Sequence, residues 1–241
     1  WLNLQIVIGI DASGFENISS SKIDLICSAK KLAAPTRILK SFSIWREKLN
    51  IDTPAPELFK TDEIKLLIEW LKKGKGQKII LSSGDPLWFG IGRILLEHFP
   101  SKKIEFFPSA TSLQLAFSKL KRPWQDASWI SLHGRDPNPL AKLLQKRPNS
   151  IAILTDPNNG GAKVVQEYLI ASGLEANYEF WIFERLGNKN EKFSLIKTKD
   201  EFPRKIDPLH IVILIKKNLQ EEKVIISPLF GIEDGEFLQF P

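Results

Sequence analysis

Short apolar runs alternate with stretches of helical periodicity along the whole chain. In the first half, the apolar runs predict strands over residues 4–10, 78–81 and 104–107. Helices are predicted over 21–32, after Thr61, over 91–98, and in a stretch whose apolar face is Leu113, Ala116, Phe117 and Leu120. Thr61 is expected to cap its helix, because threonine followed by acidic residues is typical of a helix start.

The second half of the chain repeats this alternation. Strands are predicted over 129–132, 151–154, 178–183 and 210–215, with helices over 140–145 and 163–172. Regular strand–helix alternation predicts an α/β fold with parallel sheets that helices cover on both faces. We expect two α/β lobes, an N-terminal lobe of residues 1–107 and a C-terminal lobe of residues 108–241.

The composition is that of a globular chain. Of the 241 residues, 43% are hydrophobic, which is enough to bury a core without disulfides. The single cysteine, Cys27, excludes an intrachain disulfide and a zinc site built from cysteines. No apolar run approaches the ~20 residues of a membrane helix, and no signal-peptide pattern opens the sequence. A cytoplasmic protein with no membrane contact is therefore expected.

The net charge favours an anionic partner. Lys and Arg number 34 against 28 Asp and Glu, which gives +6 at pH 7, and such a charge attracts nucleic acids, membrane surfaces or polyanionic small molecules. The alternative is that the charge only confers solubility. Since no run of five or six basic residues occurs, a dedicated nucleic-acid arm is not expected.

Ligands of parallel sheets bind beyond the carboxyl ends of the strands, so the segments after the predicted strands are the first candidates. The strongest is 82–93, where Gly84, Gly90 and Gly92 share one loop. Gly84 lets a ligand approach the main chain, and Asp85 can accept hydrogen bonds from hydroxyls or an ammonium group. An ordinary turn is the alternative, but it rarely needs so many special residues.

Three other segments follow predicted strands. Residues 108–114 place small hydroxyl residues at a helix N-terminus, where free N–H groups can bind a ligand, although capping by Ser109 or Thr111 explains the same residues. In 131–135, His133 can donate to a ligand and Arg135 can bind a carboxylate. Turn chemistry alone explains 155–161.

The remaining signals are weak or absent. The first strand ends at Gly9 and Gly14 without the full glycine pattern of a dinucleotide-binding loop, so a plain turn is the alternative there. The three histidines do not have metal-ligand spacing, and neither a nucleophile elbow nor a phosphate-binding lysine loop occurs. We therefore expect no metal and assign no catalytic residue.

Together these segments resemble the tetrapyrrole methylase family, whose members use S-adenosylmethionine. The resemblance is carried by SGDPLWFGIG at 83–92, PSATSLQLAF at 108–117, RPWQD at 122–126 and SLHGR at 131–135. Within the family, the sequence most resembles the precorrin C5-methyltransferase branch of cobalamin biosynthesis. The resemblance covers nearly the whole chain and is densest over 79–135.

The resemblance implies a homodimer in which each chain holds S-adenosylmethionine in a cleft between two lobes. The residues that match the family's cofactor site are Ser83, Gly84, Asp85, Trp88, Thr111, Ser112 and Thr155. Gly9 matches the first-strand loop, but the family's richer glycine–proline pattern is absent there, so a loop that contacts the tetrapyrrole is the alternative. The implied substrate is an anionic precorrin methylated at C5, and His133 and Arg135 are expected to bind it.

The stretch 230–237 is similar to a junction in fused members of this branch. In those members, a second methyltransferase follows that acts at C15 and decarboxylates an acetate arm. The resemblance therefore predicts that the chain is the N-terminal half of a bifunctional C5,15-methyltransferase.

Three other functions stay open. An RNA ribose methyltransferase of the same superfamily agrees with the basic charge, but residues 122–135 speak against it. A non-catalytic cofactor-binding half would leave the chemistry to a partner. A dinucleotide-binding oxidoreductase is the weakest alternative, because the first-strand loop lacks the full fingerprint.

Overall fold

Two five-stranded sheets form the frame of the molecule. The computed structural model describes residues 4–49, 51, 53–73, 76–196 and 202–217. The first sheet contains β1 (Gln5–Ile10), β2 (Lys31–Ala34), β3 (Glu57–Lys60), β4 (Lys78–Ser83) and β5 (Ile104–Phe107). Its strand order is β3-β2-β4-β1-β5, and every pair is parallel, as predicted.

Helices cover both faces of the first sheet. Helices α1 (Ser20–Cys27) and α2 (Thr36–Lys48) pack on one face, and α3 (Ile64–Lys72) and α4 (Ile91–His98) pack on the other. The chain leaves β1 toward the first face and leaves β4 toward the second. Because β1 and β4 are neighbours, a crevice opens between their carboxyl ends, which is where open α/β sheets bind ligands.

Helix α5 (Ser112–Leu120) leads into a second sheet of mixed direction. Its strands are β6 (Ser128–Ser131), β7 (Ser150–Leu154), β8 (Tyr178–Glu184), β9 (Lys192–Ile196) and β10 (His210–Lys216), in the order β6-β7-β10-β8-β9. Only β6 and β7 pair in parallel, so the expectation of a parallel second sheet is wrong for the other three strands. A short turn without a helix joins β8 to β9, and such a connection produces antiparallel pairing.

The second sheet is also covered on both faces. Helices α6 (Asn138–Gln145) and α7 (Gly161–Ala171) pack on one face, and α5 packs on the other through Leu113, Ala116 and Phe117. By its contacts, the helix that follows Pro108 therefore belongs to the second sheet. The division into lobes of 1–107 and 108–241 stays a prediction, because residues 218–241 lie outside the described ranges.

The sequence pattern located seven strands and six helices but missed part of the first half. The helix predicted over 21–32 ends at Cys27, where the Ser28 hydroxyl donates to the Leu25 carbonyl at 2.9 Å, and β2 follows. Elements β2, α2, β3 and β9 were not predicted. Thr61 does not cap α3, because Glu63 occupies the N-cap position. Within the described ranges, no helix has the length and apolar character needed to cross a bilayer.

Candidate functional site

The carboxyl ends of strands from both sheets meet at one cleft between the two sheets. Its cavity has a volume of about 800 Å³, within the range of small-molecule sites. The walls come from residues 10–12, 82–85, 110–112, 131–135, 154–155 and 183–186, which follow or end β1, β4, β5, β6, β7 and β8. The five segments indicated by the sequence therefore surround a single space, together with the end of β8.

The turn between β8 and β9 holds the second sheet against the loop after β1. The Asn188 side-chain amide donates to the Ala12 carbonyl at 3.1 Å. A Cβ on Gly187 would lie 2.9 Å from the Cβ of Ala12, and Gly187 has a φ of +75°, so a side chain there would be both crowded and strained. This contact closes one side of the cleft.

The loop after β4 lines the cleft with four of the predicted cofactor residues, Ser83, Gly84, Asp85 and Trp88. Gly84 has a φ of +63°, and its N–H donates to the Ile10 carbonyl at 2.7 Å. Asp85 Oδ1 accepts from the Leu87 N–H at 2.8 Å, which fixes the turn. Its Oδ2 has no hydrogen-bond partner among the described residues, so it is free to accept from a ligand.

The N-terminus of α5 faces the same cavity. Thr111 and Gln114 form a capping box: the Thr111 hydroxyl accepts from the Gln114 N–H at 3.3 Å, and the Thr111 N–H donates to Gln114 Oε1 at 2.8 Å. Capping is therefore one role of Thr111. Thr111 and Ser112 both line the cavity, so the positive end of the helix dipole points toward a ligand.

Thr155 and His210 line the cavity from the second sheet. The Thr155 hydroxyl donates to the His210 carbonyl at 2.8 Å. His210 Nε2 accepts from the Ala162 N–H at 3.0 Å, and its Nδ1 lies 2.7 Å from the Asp207 carbonyl. These two contacts fit a neutral ring protonated on Nδ1, because Nε2 must offer a lone pair.

A buried carboxylate positions the loop of His133 and Arg135, which both reach the cavity. Asp156 is 5% exposed, and its Oδ2 accepts from the Gly134 N–H at 2.9 Å. This hydrogen bond above all holds the pKa of Asp156 below its ordinary value, and the Asn159 side chain contributes. The Arg135 guanidinium lies 5.3 Å from the ring centroid of Phe89, so the loop also contacts the first lobe.

An Asp156→Asn variant is expected to lose about 1–3 kcal/mol of unfolding free energy at pH 7, because an amide cannot replace all the acceptor bonds of this carboxylate. The folded pKa lies below the unfolded value of about 3.9, so the carboxylate stabilises the fold above about pH 4, and this stabilisation disappears as the pH falls through the folded pKa. Urea unfolding at pH 7 and in steps below pH 5 measures the effect. The control Asp126→Asn, at an exposed carboxylate, should change the unfolding free energy little. A loss of unfolding free energy in Asp156→Asn that is the same in acid as at pH 7 would contradict the stabilising role of the Asp156 carboxylate.

Gly9 lies behind the cleft, and the part of β1 and its loop that lines the cavity is residues 10–12. A Cβ on Gly9 would lie 1.9 Å from the Gly84 carbonyl oxygen and 2.8 Å from the Ser109 nitrogen. The Gly9 carbonyl accepts from the Ser109 hydroxyl at 2.7 Å, and Lys22 Nζ donates to that hydroxyl at 2.7 Å. The predicted contact of Gly9 with the cofactor stays a prediction.

Sequence reasoning missed several residues that line the cleft: Asp11, Arg37, Thr61, Asn188 and His210. Arg37 and Thr61 follow β2 and β3, neither of which was predicted. The rule that ligands bind beyond strand ends would have found both residues if those short strands had been recognised.

Comparison with known proteins identifies the family to which the chain belongs. Residues 6–200 match the model of the tetrapyrrole (corrin/porphyrin) methylases. The chain belongs to the tetrapyrrole methylase family. It is 31% identical over 201 residues to a probable cobalt-precorrin-7 C(5)-methyltransferase of Methanocaldococcus jannaschii, covering 80% of this chain and 89% of that protein. It is also 31% identical over 127 residues to a decarboxylating precorrin-6Y C(5,15)-methyltransferase of a Sinorhizobium species, covering 52% of this chain and 30% of that protein.

Solved structures of tetrapyrrole methylases share the fold. A precorrin-6Y methylase of cobalamin biosynthesis from Archaeoglobus fulgidus superposes with a TM-score of 0.64 at 18% identity, covering 89% of this chain and 97% of that one. A uroporphyrin-III C-methyltransferase from Thermus thermophilus, solved with S-adenosylhomocysteine, gives a TM-score of 0.61 at 18% identity and covers 88% and 96%. The two-lobed α/β fold expected from the resemblance is confirmed.

Proposed function

We propose that this tetrapyrrole methylase is an S-adenosylmethionine-dependent C-methyltransferase that acts at C5 of a precorrin macrocycle in cobalamin biosynthesis. The observation that carries the proposal is the convergence of the Gly84–Asp85 loop, the α5 N-terminus and Arg135 on one cavity. The relatives in Methanocaldococcus and Sinorhizobium, both C5-methyltransferases by name, support the substrate class.

The residues of the cavity fit S-adenosylmethionine. The free Asp85 oxygen can accept from its ammonium group or its ribose hydroxyls, and the N-terminus of α5 can donate to its carboxylate. Ser82 lines the cavity with a hydroxyl that is buried and lacks a protein partner in the described ranges. Because buried polar groups are normally hydrogen-bonded, this orphan hydroxyl is consistent with a ligand in the cleft.

The cofactor brings an activated methyl group on a sulfonium, so the chain has mainly to bind and orient the two reactants. The loop of Gly84 would hold the methyl donor from the first lobe, and Thr155 would approach it from the second. Arg135 would bind a carboxylate arm of the macrocycle. The nucleophile is the C5 bridge carbon itself, which agrees with the lack of an assigned general base.

The proposal also includes the oligomeric state, the cellular location and a further methyltransferase part. The homodimer is what the family resemblance implies, and the cytoplasmic location is the expectation from the sequence. The hypothesis that a C15-methyltransferase part follows this chain stays part of the proposal; the Sinorhizobium relative, named a C(5,15)-methyltransferase, is matched over 30% of its length. The junction-like stretch 230–237 that first suggested it lies outside the described residues.

The first test is calorimetric titration of the purified chain with S-adenosylhomocysteine, with NAD as the control. Saturable binding of the first and none of the second is expected, and binding of NAD alone would favour the oxidoreductase.

Methyl transfer from S-adenosylmethionine to a precorrin by the isolated chain would exclude a non-catalytic half. Retention on RNA that modest salt abolishes would leave the RNA methyltransferase unsupported.

An Arg135→Ala variant should bind a polycarboxylate corrin about tenfold more weakly, because one charge-assisted contact is lost. Its affinity for S-adenosylhomocysteine should stay within about threefold of the unsubstituted chain, since within the described residues the guanidinium only packs on the Phe89 ring and forms no hydrogen bond with Ser83, Gly84 or Asp85. Titration with cobyrinic acid, a stable corrin with free carboxylates, measures the loss. Arg204→Ala is the control, because Arg204 is exposed and lies outside the cavity; equal losses in both variants would contradict the role of Arg135.

A further inference from the structure

Arg37 lines the cleft at a position that the proposed function leaves unexplained. It lies in the first turn of α2, and its Nη2 donates to the Ser83 hydroxyl at 2.8 Å. Arg37 lines both the main cavity and a smaller adjoining cavity of about 230 Å³. It therefore stands beside the cofactor loop, where the main cavity continues toward α2.

The positive charge of Arg37 has no carboxylate partner in the described parts of the chain. Arg185 lines the same cavity but forms an ion pair with Asp207 at 2.9 Å. The first turn of a helix also disfavours a cation, because the macrodipole is positive there. Partial desolvation in the cleft lowers the pKa of Arg37 below its ordinary value, although the residue keeps solvent access and no counter-ion lies beside it in the described residues.

The donors of Arg37 suit a carboxylate. A guanidinium carries five N–H donors in a planar fork, and the described contacts use only the bond to Ser83. The remaining donors can bind both oxygens of one carboxylate, a geometry that lysine cannot reproduce. An anion of this kind would also supply the missing counter-charge.

We propose that Arg37 is a second carboxylate anchor for the macrocycle, placed on the first lobe opposite Arg135 on the second. The inference builds on the proposed function, because it assumes a substrate with several carboxylate arms. A single anchor lets a macrocycle turn about the bound arm, whereas two anchors on different lobes fix which bridge carbon faces the methyl donor. Arg37 is thus a specificity-determining residue.

The test compares Arg37→Gln and Arg37→Lys with the control Arg93→Gln, which removes an exposed guanidinium from α4 outside the cleft. Each chain is saturated with S-adenosylhomocysteine and titrated with cobyrinic acid or with its heptamethyl ester. We expect Arg37→Gln to weaken binding of the acid about tenfold to a hundredfold, as loss of a charged hydrogen-bonded contact does. Arg37→Lys should recover part of that loss, and binding of the ester should not change.

The outcomes separate the inference from the proposed function. Unchanged affinity for the acid in Arg37→Gln, or equal losses for acid and ester, would overturn the role of Arg37. A parallel loss of S-adenosylhomocysteine affinity would also overturn it, because Arg37 would then only hold the loop through Ser83. If the unsubstituted chain binds S-adenosylhomocysteine but not cobyrinic acid, the proposed substrate class itself fails.

Discussion

A Gly9→Ala variant is expected to lose S-adenosylhomocysteine binding, although Gly9 does not line the cavity. The added Cβ would lie 1.9 Å from the Gly84 oxygen and 2.8 Å from the Ser109 nitrogen. Both are main-chain atoms, so neither can rotate away as a side chain would. The loops after β4 and β5 must therefore move, and the hydrogen bond from the Ser109 N–H to the Gly84 carbonyl, now 3.2 Å, would break.

The stability loss in Gly9→Ala should reach about 3 kcal/mol or more, the upper part of the range for overpacking. The matched control is Gly14→Ala in the loop that follows β1. Gly14 has a φ of +78° with no atom within 4 Å of its Cβ position, so alanine there should cost about 1 kcal/mol of backbone strain and leave cofactor binding intact. Urea unfolding and calorimetry measure both quantities. If Gly9→Ala keeps a near-normal unfolding free energy and a near-normal affinity for S-adenosylhomocysteine, the loops after β4 and β5 can separate without cost and the prediction is wrong.

The strands that present the site were predictable because each contains an uninterrupted run of apolar residues. All six residues of β1 and five of the six in β4 are buried. Neither strand therefore has a solvent-facing side whose polar residues would interrupt the apolar run. Helix α4 was predicted with its observed limits, since a glycine precedes it and Pro100 follows it closely. Once these elements were placed, the strand-end rule located most of the cleft.

The short second and third strands were not predictable in the same way. Strand β2 has only four residues, Lys31–Ala34, and a lysine followed by leucine and two alanines suits a helix as well as a strand. Because β2 was not predicted, α2 was not predicted either, and Arg37 was not recognised as a residue that follows a strand end. A strand of four residues has too few positions for its hydrophobic pattern to distinguish the period of a strand from that of a helix.

Other features depend on contacts between residues that are distant in the chain. The need for glycine at position 9 comes from the Gly84 carbonyl, 75 positions away. The antiparallel pairing of β10 with both β7 and β8 comes from the return of the chain to the centre of the second sheet. Local periodicity encodes neither the partner of a strand nor the distance between two loops.

Asp85→Ala has the second large expected effect, a strong loss of S-adenosylhomocysteine affinity. The substitution removes two functions of one carboxylate. Oδ1 holds the turn through the Leu87 N–H at 2.8 Å, and Oδ2 is left to accept from the ligand. Asp85→Asn separates these functions, because the amide oxygen can still accept from Leu87 while the negative charge is gone.

If Asp85 binds the ammonium group of the cofactor, Asp85→Asn should weaken S-adenosylhomocysteine binding about tenfold to a hundredfold, the effect of losing a charged hydrogen bond. Asp85→Ala should weaken it further, by about fivefold, because the turn is lost as well. If the carboxylate only shapes the loop, Asp85→Asn should bind like the unsubstituted chain and Asp85→Ala alone should fail. Calorimetric titration of the two variants therefore distinguishes direct recognition of the cofactor from support of the loop.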